Sequence, residues 1–415
     1  MSAYFNYIPA PNVKSLNKHA ILDLIRFTSG GISRAELAQH MELSRAAVTT
    51  IVNDLIETNT IREAESRSAS NGRPPIILEV NPNRGYVAGI DMGATHMSVV
   101  IANFAAFVLE EKEISFNINE GPQASLNQAE TLLREVAARA NINIHDILAI
   151  GLGVPGPIVT DAGMVLAPPI MPGWDRFPIR ETLEKKLGCP VSLNNDAELG
   201  ALGEWAYGAG RGENNLAYIK VGTGIGAGLL LDGQIYSGAT GSAGEIGHLT
   251  IEENGPICSC GNRGCLEAIA GGRAIARQAQ EAVIKGLRTQ LSSIKPTENI
   301  TGADVAAAAR KGDLIAQQIF PQAGSHLGIA IAGIVNLFNP NMVVVGGGIS
   351  QIGDLFLEPV RIAVQIRSLP AAAQAVRITT ALLGRRSASI GAVVQALSIA
   401  MHQIAEGNPD VAIRA

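Results

Sequence analysis

The spacing of apolar side chains changes character twice along the chain. Between residues 16 and 58 it has the period of helices. Leu16, Ala20, Ile21, Leu24 and Ile25 share one face of a first helix, and Val48, Ile51, Val52, Leu55 and Ile56 recur at i, i+3, i+4, i+7 and i+8 on a third. A second helix begins at Ser33, where Glu36 completes a capping box and Ile32 and Leu37 occupy the staple positions. The short link Met41-Glu-Leu-Ser44 makes helices two and three a helix-turn-helix. Beyond it, Ile61-Arg-Glu-Ala64 and Ile76-Ile-Leu-Glu-Val80 read as two strands around a polar tip, the form of a β-wing. From Tyr86 strand-like runs take over: Val87-Ala-Gly-Ile-Asp91, Met97-Ser-Val-Val-Ile101, Ala217-Tyr-Ile-Lys-Val221, Gly228-Leu-Leu-Leu231 and residues 342–345. Ala-rich helices around 303–337 and 386–405 are expected to cover the sheets.

Helix three leaves a face of Ser44, Arg45, Ala46, Thr49, Thr50 and Asn53 that is free of acid until Asp54. Small side chains let a helix approach the major groove, and Arg, Thr and Asn reach base edges or phosphates. The helix N-terminus at Ser44 adds a positive dipole end for a phosphate. The competing reading is a bundle for protein contacts, whose free face would more often be rich in Glu and Lys. In the wing, Arg67 and Arg73 either touch DNA, along the backbone or in a minor groove, or simply solvate the loop.

Length changes the picture next. A chain of 415 residues exceeds one ordinary core, so two or three domains are expected. The net charge of −5 gives no global field for nucleic acid. Residues 1–84 hold nine Lys/Arg against eight Asp/Glu, so DNA affinity must come from local charge placement. Residues 1–18 lack the apolar segment of a signal peptide. The apolar run at 327–338 is too short to cross a bilayer and contains Asn336, so no membrane insertion is expected. Three of the four cysteines cluster, which fits a reducing compartment, and a cytoplasmic location is expected.

Those three supply the clearest chemistry. Cys258, Cys260 and Cys265 form a Cys-x-Cys-x4-Cys run broken by Gly261 and Gly264, so a short loop can bring three thiolates together. With His248 as fourth ligand this is the closed tetrahedral set of structural Zn²⁺. The alternative, ordinary buried cysteines, gives no reason for clustering. Glu245 and Glu267 bracket the loop, which would fix two carboxylates on a cleft wall. Two hairpins carry Gly- and Thr-containing turns, one with Asp91, Gly93 and Thr95, the other with Gly222, Thr223, Gly224 and Gly226. Such turns offer backbone N–H groups to phosphate oxygens. The repetition suggests two lobes of similar design facing one cleft.

Gly244-Glu-Ile-Gly-His248 followed by Cys258-Ser-Cys-Gly-Asn-Arg-Gly-Cys265-Leu-Glu267 resembles the signature of the ROK family of repressors, open reading frames and sugar kinases. The likeness extends over about residues 85–400. It implies an α/β architecture: an N-terminal winged helix-turn-helix followed by a two-lobed, actin-like (ribonuclease H-like) sugar-kinase fold. The expected division is 1–84 for the head with its wing and linker, 85–205 for the first lobe, and 206–415 for the second, with C-terminal helices packing back on the first.

By the same resemblance the two hairpin turns are phosphate loops. Gly346, Gly347 and Gly348 correspond to an adenosine-contacting turn, or else form a plain strand-to-helix turn. The family's kinases usually read Asp-x-Gly-Gly-Thr-Lys in the first loop. Here Ala94 and His96 replace the second Gly and the Lys, which counts against ATP-Mg²⁺ binding. Residues 193–198, Leu-Asn-Asn-Asp-Ala-Glu, resemble the family's Asn-Asp-Ala-Asn motif. Asp196 is then the catalytic base of a kinase, or a hydrogen-bond acceptor for sugar in a binding protein. The resemblance further implies sugar contacts from Asn195, Glu245, His248 and Glu267, with His248 shared between metal and sugar. Trp174 is either a stacking platform or core.

The winged head is similar to that of the repressor branch. This implies a sugar-responsive transcription regulator with operator DNA and a sugar or sugar phosphate as partners, acting as a homodimer or homotetramer. Some relatives also bind a phosphotransfer-system protein. The rival reading, an ATP-dependent sugar kinase with an appended head, rests on the second loop and Asp196.

Overall fold

The computed structural model describes residues 13–28, 30–65, 76–168 and 171–406. Arg67 and Arg73 lie outside them, as do residues 169–170.

The head is built as its pattern demands. Helices Val13–Phe27, Arg34–His40 and Arg45–Glu57 enclose Ile21, Leu22, Ile25, Leu37, Val48, Val52 and Leu55. The capping box at Ser33 is formed, with Ser33 Oγ accepting from the Glu36 N–H and Glu36 Oε2 accepting from the Ser33 N–H at 2.8 Å. The link between helices two and three turns through Glu42, a non-glycine residue at φ 53°. Strands Ile61–Glu65 and Ile76–Val80 pair antiparallel, and Leu78 also bridges Ile32, which ties the wing to the helices.

Two five-stranded sheets follow, and they share one plan. In chain order the first sheet uses Tyr86–Met92, His96–Asn103, Val108–Ser115, Ile147–Val154 and Val191–Asn195. Its spatial order is third, second, first, fourth, fifth; the first three strands are antiparallel and the last two join in parallel. The second sheet uses Leu216–Val221, Ile225–Leu231, Gln234–Ile235, Met342–Gly346 and Arg377–Thr380 in the same order and senses. Both central strands are bordered by partners on each side and, apart from Asp91 in one and Lys220 in the other, are apolar. The repetition puts two hairpin turns at equivalent ends of the sheets.

Helix Ser387–Ala405 joins these parts. It packs on strands Tyr86–Met92 and Ile147–Val154, along helix Asp196–Tyr207, and against the first helix of the head. It is long and apolar enough to cross a membrane, yet 78% of that stretch is buried inside the protein. The contact with its neighbours is at backbone distance. A Cβ placed on Gly391 would lie 1.8 Å from Leu199 O, and one on Gly203 would lie 2.2 Å from Ser387 O. Glu204, fully buried, fastens the same junction by accepting from Ser387 Oγ (2.7 Å) and the N–H groups of Ala209, Leu382 and Leu383.

The head docks onto the other end. Arg26 donates to Ser398 Oγ (3.3 Å) and Val394 O (3.2 Å), Phe27 meets Trp205 at 4.9 Å between rings, and His19 stacks on His402 at 4.1 Å. Burial pushes both imidazoles from 6.5 down to about 4; for His19, His402 and Lys18 add to the effect. A histidine held neutral in the folded state stabilises it above pH 6.5, and that contribution is lost as pH falls toward 4. The unfolding midpoint is therefore expected to fall between pH 7.5 and pH 5, and His402→Phe should shrink the difference. An undiminished difference in that variant would remove the pair as its cause.

Candidate ligand cleft and metal cluster

Three charged groups from different elements meet at the cleft floor. Asp91, near the end of strand Tyr86–Met92, is 1% exposed. Asp196 opens the helix after the first sheet's last strand, and Lys220 comes from the second sheet. Lys220 Nζ is 2.8 Å from Asp196 Oδ2 and 3.9 Å from Asp91 Oδ1, while His96 Nε2 lies 3.4 Å from Asp91 Oδ2. Burial works against the Asp91 charge, but Lys220, His96 and Arg385 together hold its carboxyl below the ordinary range. Burial likewise opposes the Lys220 charge, and Asp196 and Asp91 more than compensate, keeping the ammonium protonated well above its usual value. Lys220 escaped the motif reading. Its signal was a lone charge in an otherwise apolar strand running into the second Gly-rich turn.

The wall is acidic. Burial raises the Glu245 carboxyl to about 7, and the neighbouring Asp196, Glu267 and Glu198 charges add to the rise. Glu198 is itself 5% exposed, and burial raises its carboxyl too. Glu267 is partly committed to structure, since its Oε2 accepts from the Ile225 N–H at 3.1 Å. Asn195 is more so. Its Oδ1 accepts from the N–H groups of Ala197 and Glu198 as helix cap, and its Nδ2 donates to Gly156 O at 3.0 Å. The family resemblance implies a sugar hydroxyl as partner for that amide; one N–H is left for a ligand. Trp174 is fully buried and donates to Ile118 O, so it is core rather than a stacking platform.

Behind the wall, His248, Cys258, Cys260 and Cys265 place one ligand atom each within 4.8 Å of one another. Cys260 Sγ and Cys265 Sγ are 3.7 Å apart, and Cys258 Sγ lies 3.6 Å from His248 Nδ1. A tetrahedral ion with metal–sulfur bonds of about 2.3 Å requires sulfur–sulfur edges of roughly 3.8 Å, so the donors fit four-coordination. Burial, together with the other two sulfurs, pushes the Cys265 thiol up to about 12, a crowding that a central cation relieves. The loop depends on Gly264 at φ +66°, where a Cβ would fall 1.5 Å from Glu252 O. His248 Nε2 faces Glu245 Oε2 at 3.8 Å, beyond a direct hydrogen bond, so one ring links cluster to cleft.

Both Gly/Thr turns close hairpins, with Met92 opposite Met97 and Val221 opposite Ile225. In the first, Thr95 is exposed, the Ala94 side chain packs on the core, and His96 folds back so that a Cβ on Gly93 would touch its ring at 2.6 Å. In the second, Gly222, Thr223, Gly224 and Gly226 are part-exposed, and Gly222 O and Thr223 O accept from the first N–H groups of helix Gly272–Ile284. Gly346 and Gly347 have packing reasons: Cβ atoms there would meet Tyr218 Oη and Val221 O at 2.2 and 2.3 Å. Gly348 is exposed with open space around it.

On the head, Ser44, Arg45, Thr49, Thr50 and Asn53 are exposed along one face of helix Arg45–Glu57. Ser44 Oγ caps the helix through the Ala47 N–H, and Thr49 and Thr50 donate back to Arg45 O and Ala46 O. Asp54, the acid that ends this face, is paired with Lys18, and Arg34 bridges Asn53 and Glu63. The face therefore presents cationic and neutral polar groups.

Comparison with known proteins adds four findings. The model of the ROK family matches residues 87–399. The chain is 34% identical over 386 residues to a putative xylose repressor of Caldicellulosiruptor sp. (strain Rt8B.4), covering 93% of this chain and 96% of that one. A glucokinase of Halalkalibacterium halodurans is 36% identical but covers 74% of this chain. Among solved structures, a ROK family transcriptional regulator, a homologue of the E. coli MLC protein, superposes with a TM-score of 0.81 at 27% identity, covering 97% of this chain and all of that one.

Proposed function

The chain belongs to the ROK family, and from that premise we propose that it is a sugar-responsive, DNA-binding repressor of carbohydrate uptake or metabolism genes. Its ligand is a sugar or sugar phosphate held by Asp196, Glu245, His248 and Glu267, with Zn²⁺ in the thiolate cluster as a structural pin. Operator DNA is read by Ser44, Arg45, Thr49, Thr50 and Asn53, with Arg67 and Arg73 on the wing. Two heads in a homodimer span half-sites about one helical turn or a multiple apart, and a regulator that reads genomic operators works in the cytoplasm.

One observation carries the reading. Helix Ser387–Ala405 touches the head at one end and, along its length, the helix whose first residue is Asp196. A ligand that prefers one setting of the cleft helix therefore biases the position of the head. The names of relatives make xylose and N-acetylglucosamine the first sugars to test. At fixed salt, the effective sugar should change operator affinity roughly 5- to 150-fold, the usual span of allosteric coupling. Asp196→Ala should bind operator normally and lose that response. Operator affinity indifferent to every sugar that binds would defeat the proposal.

The kinase reading has a specific support in Asp196 at the cleft floor beside the second loop. Against it stand the Lys220 ammonium on Asp196 and His96 folded over the first loop. Sugar-dependent ADP release that disappears in Asp196→Asn would reverse the ranking.

A further inference from the structure

Lys220 is the one charged residue of strand Leu216–Val221, and it reaches out of its own sheet. Its partners belong to the first sheet and the helix that follows it: Asp196 Oδ2 at 2.8 Å and Asp91 Oδ1 at 3.9 Å. Asp91 is 1% exposed, and its Oδ1 has no hydrogen-bond partner among the described residues. The residue beside it is Gly153: a Cβ there would stand 3.7 Å from that oxygen and 2.9 Å from Leu199 Cδ1, so the nearest filler is apolar and offers no hydrogen bond. Two buried carboxylates repel unless a cation lies between them. Paired carboxylate oxygens ordinarily recruit a divalent ion such as Mg²⁺.

We propose that Lys220 is a tethered cation that does for Asp91 and Asp196 what a bound Mg²⁺ would, completing the cleft floor and tying the second sheet to the first. On the Asp91 side, His96 takes the other carboxylate oxygen and Arg385 adds a more distant positive charge, while on the Asp196 side Glu245 adds a negative one that makes a cation there more necessary. A consequence, which rests on the sugar-cleft reading, is that a ligand hydroxyl must share Asp196 with the ammonium. The cation role itself needs no sugar.

The test uses the full-length protein in metal-free buffer without chelator, so that the thiolate cluster keeps its ion. Lys220→Met retains the aliphatic stem and removes the charge. Mn²⁺ titration by electron paramagnetic resonance is expected to show one new site per chain in the variant and none in the wild type. Millimolar Mg²⁺ should raise the unfolding midpoint of the variant alone. Lys220→Met/Asp91→Asn restores the charge balance; it should regain stability and lose the Mn²⁺ site. Should Lys220→Met not fold, recovery of folded protein in the double variant supports the same role. Three results would overturn it: equal Mn²⁺ binding by wild type, a folded Lys220→Met that binds none, or a double variant no more stable than the single. A missing sugar response would leave these measurements untouched and would count against the regulatory reading alone.

Discussion

Cys265→Ser is expected to strip the metal from the protein and abolish sugar binding while leaving the head folded. The loop also carries backbone bonds of its own, among them Cys258 N–H to Asn262 O, Gly264 N–H to Pro256 O, Ile251 N–H to Gly264 O and Leu266 N–H to Leu249 O, with Thr250 bridged to Cys265 and Ile257 to Arg263. None of these neutralises the crowded sulfurs, which a central cation does. Loss of a structural metal belongs to the few single changes that cost more than about 4 kcal/mol. The functional loss follows from chain connectivity: Glu267 lies two residues beyond Cys265, and Glu245 three before His248. Releasing the cluster frees both carboxylates from the cleft wall. Elemental analysis, a thermal melt and sugar-induced stabilisation measure the three effects on one sample. A variant that loses its metal and still binds sugar at wild-type strength would show that the loop does not shape the pocket.

The second large effect is expected at Gly391. Alanine there puts a methyl carbon 1.8 Å from Leu199 O, and the opposing surface is backbone rather than a movable side chain. Overpacking in cores costs about 1–3 kcal/mol and more where backbone must shift, so Gly391→Ala should fall at or above the top of that range. Because the displaced partner is helix Asp196–Tyr207, the variant should also weaken the effect of sugar on operator binding. Gly333→Ala is the control. It lies in helix Leu314–Phe338 with nothing within 4 Å of a new Cβ, so it should gain about 0.5–1 kcal/mol from helix propensity. Denaturant midpoints compared at unchanged slope would decide; equal midpoints for the two variants would remove the seam from the account.

Local signals in the chain were read well wherever the physics is local. The capping box at Ser33, the period of helix Arg45–Glu57 and the closure of both Gly/Thr hairpins depend on residues a few positions apart. The convergence of His248 with three thiols was legible because the nearest cysteine lies only ten positions beyond the histidine. What escaped was set by distant neighbours. Glu204 is buried because backbone N–H groups at 382 and 383 come to it, and nothing around position 204 announces them. His19 meets His402 across almost the whole chain. Asn195 sat in a motif that pointed to a ligand, but its local role as helix cap took most of its bonding capacity.

The core under the head has no seam of its own. Ile21, Leu22 and Ile25 share one apolar cluster with Val87, Leu148 and Ala149 of the first sheet and with Val393, Leu397, Met401 and Ile404 of the C-terminal helix. Cutting the chain before residue 85 would thus leave an oily scar on the body, inviting self-association. A relative without the head is expected to carry polar side chains at this patch, so that gaining or shedding a DNA reader is a change of surface as much as a change of gene length.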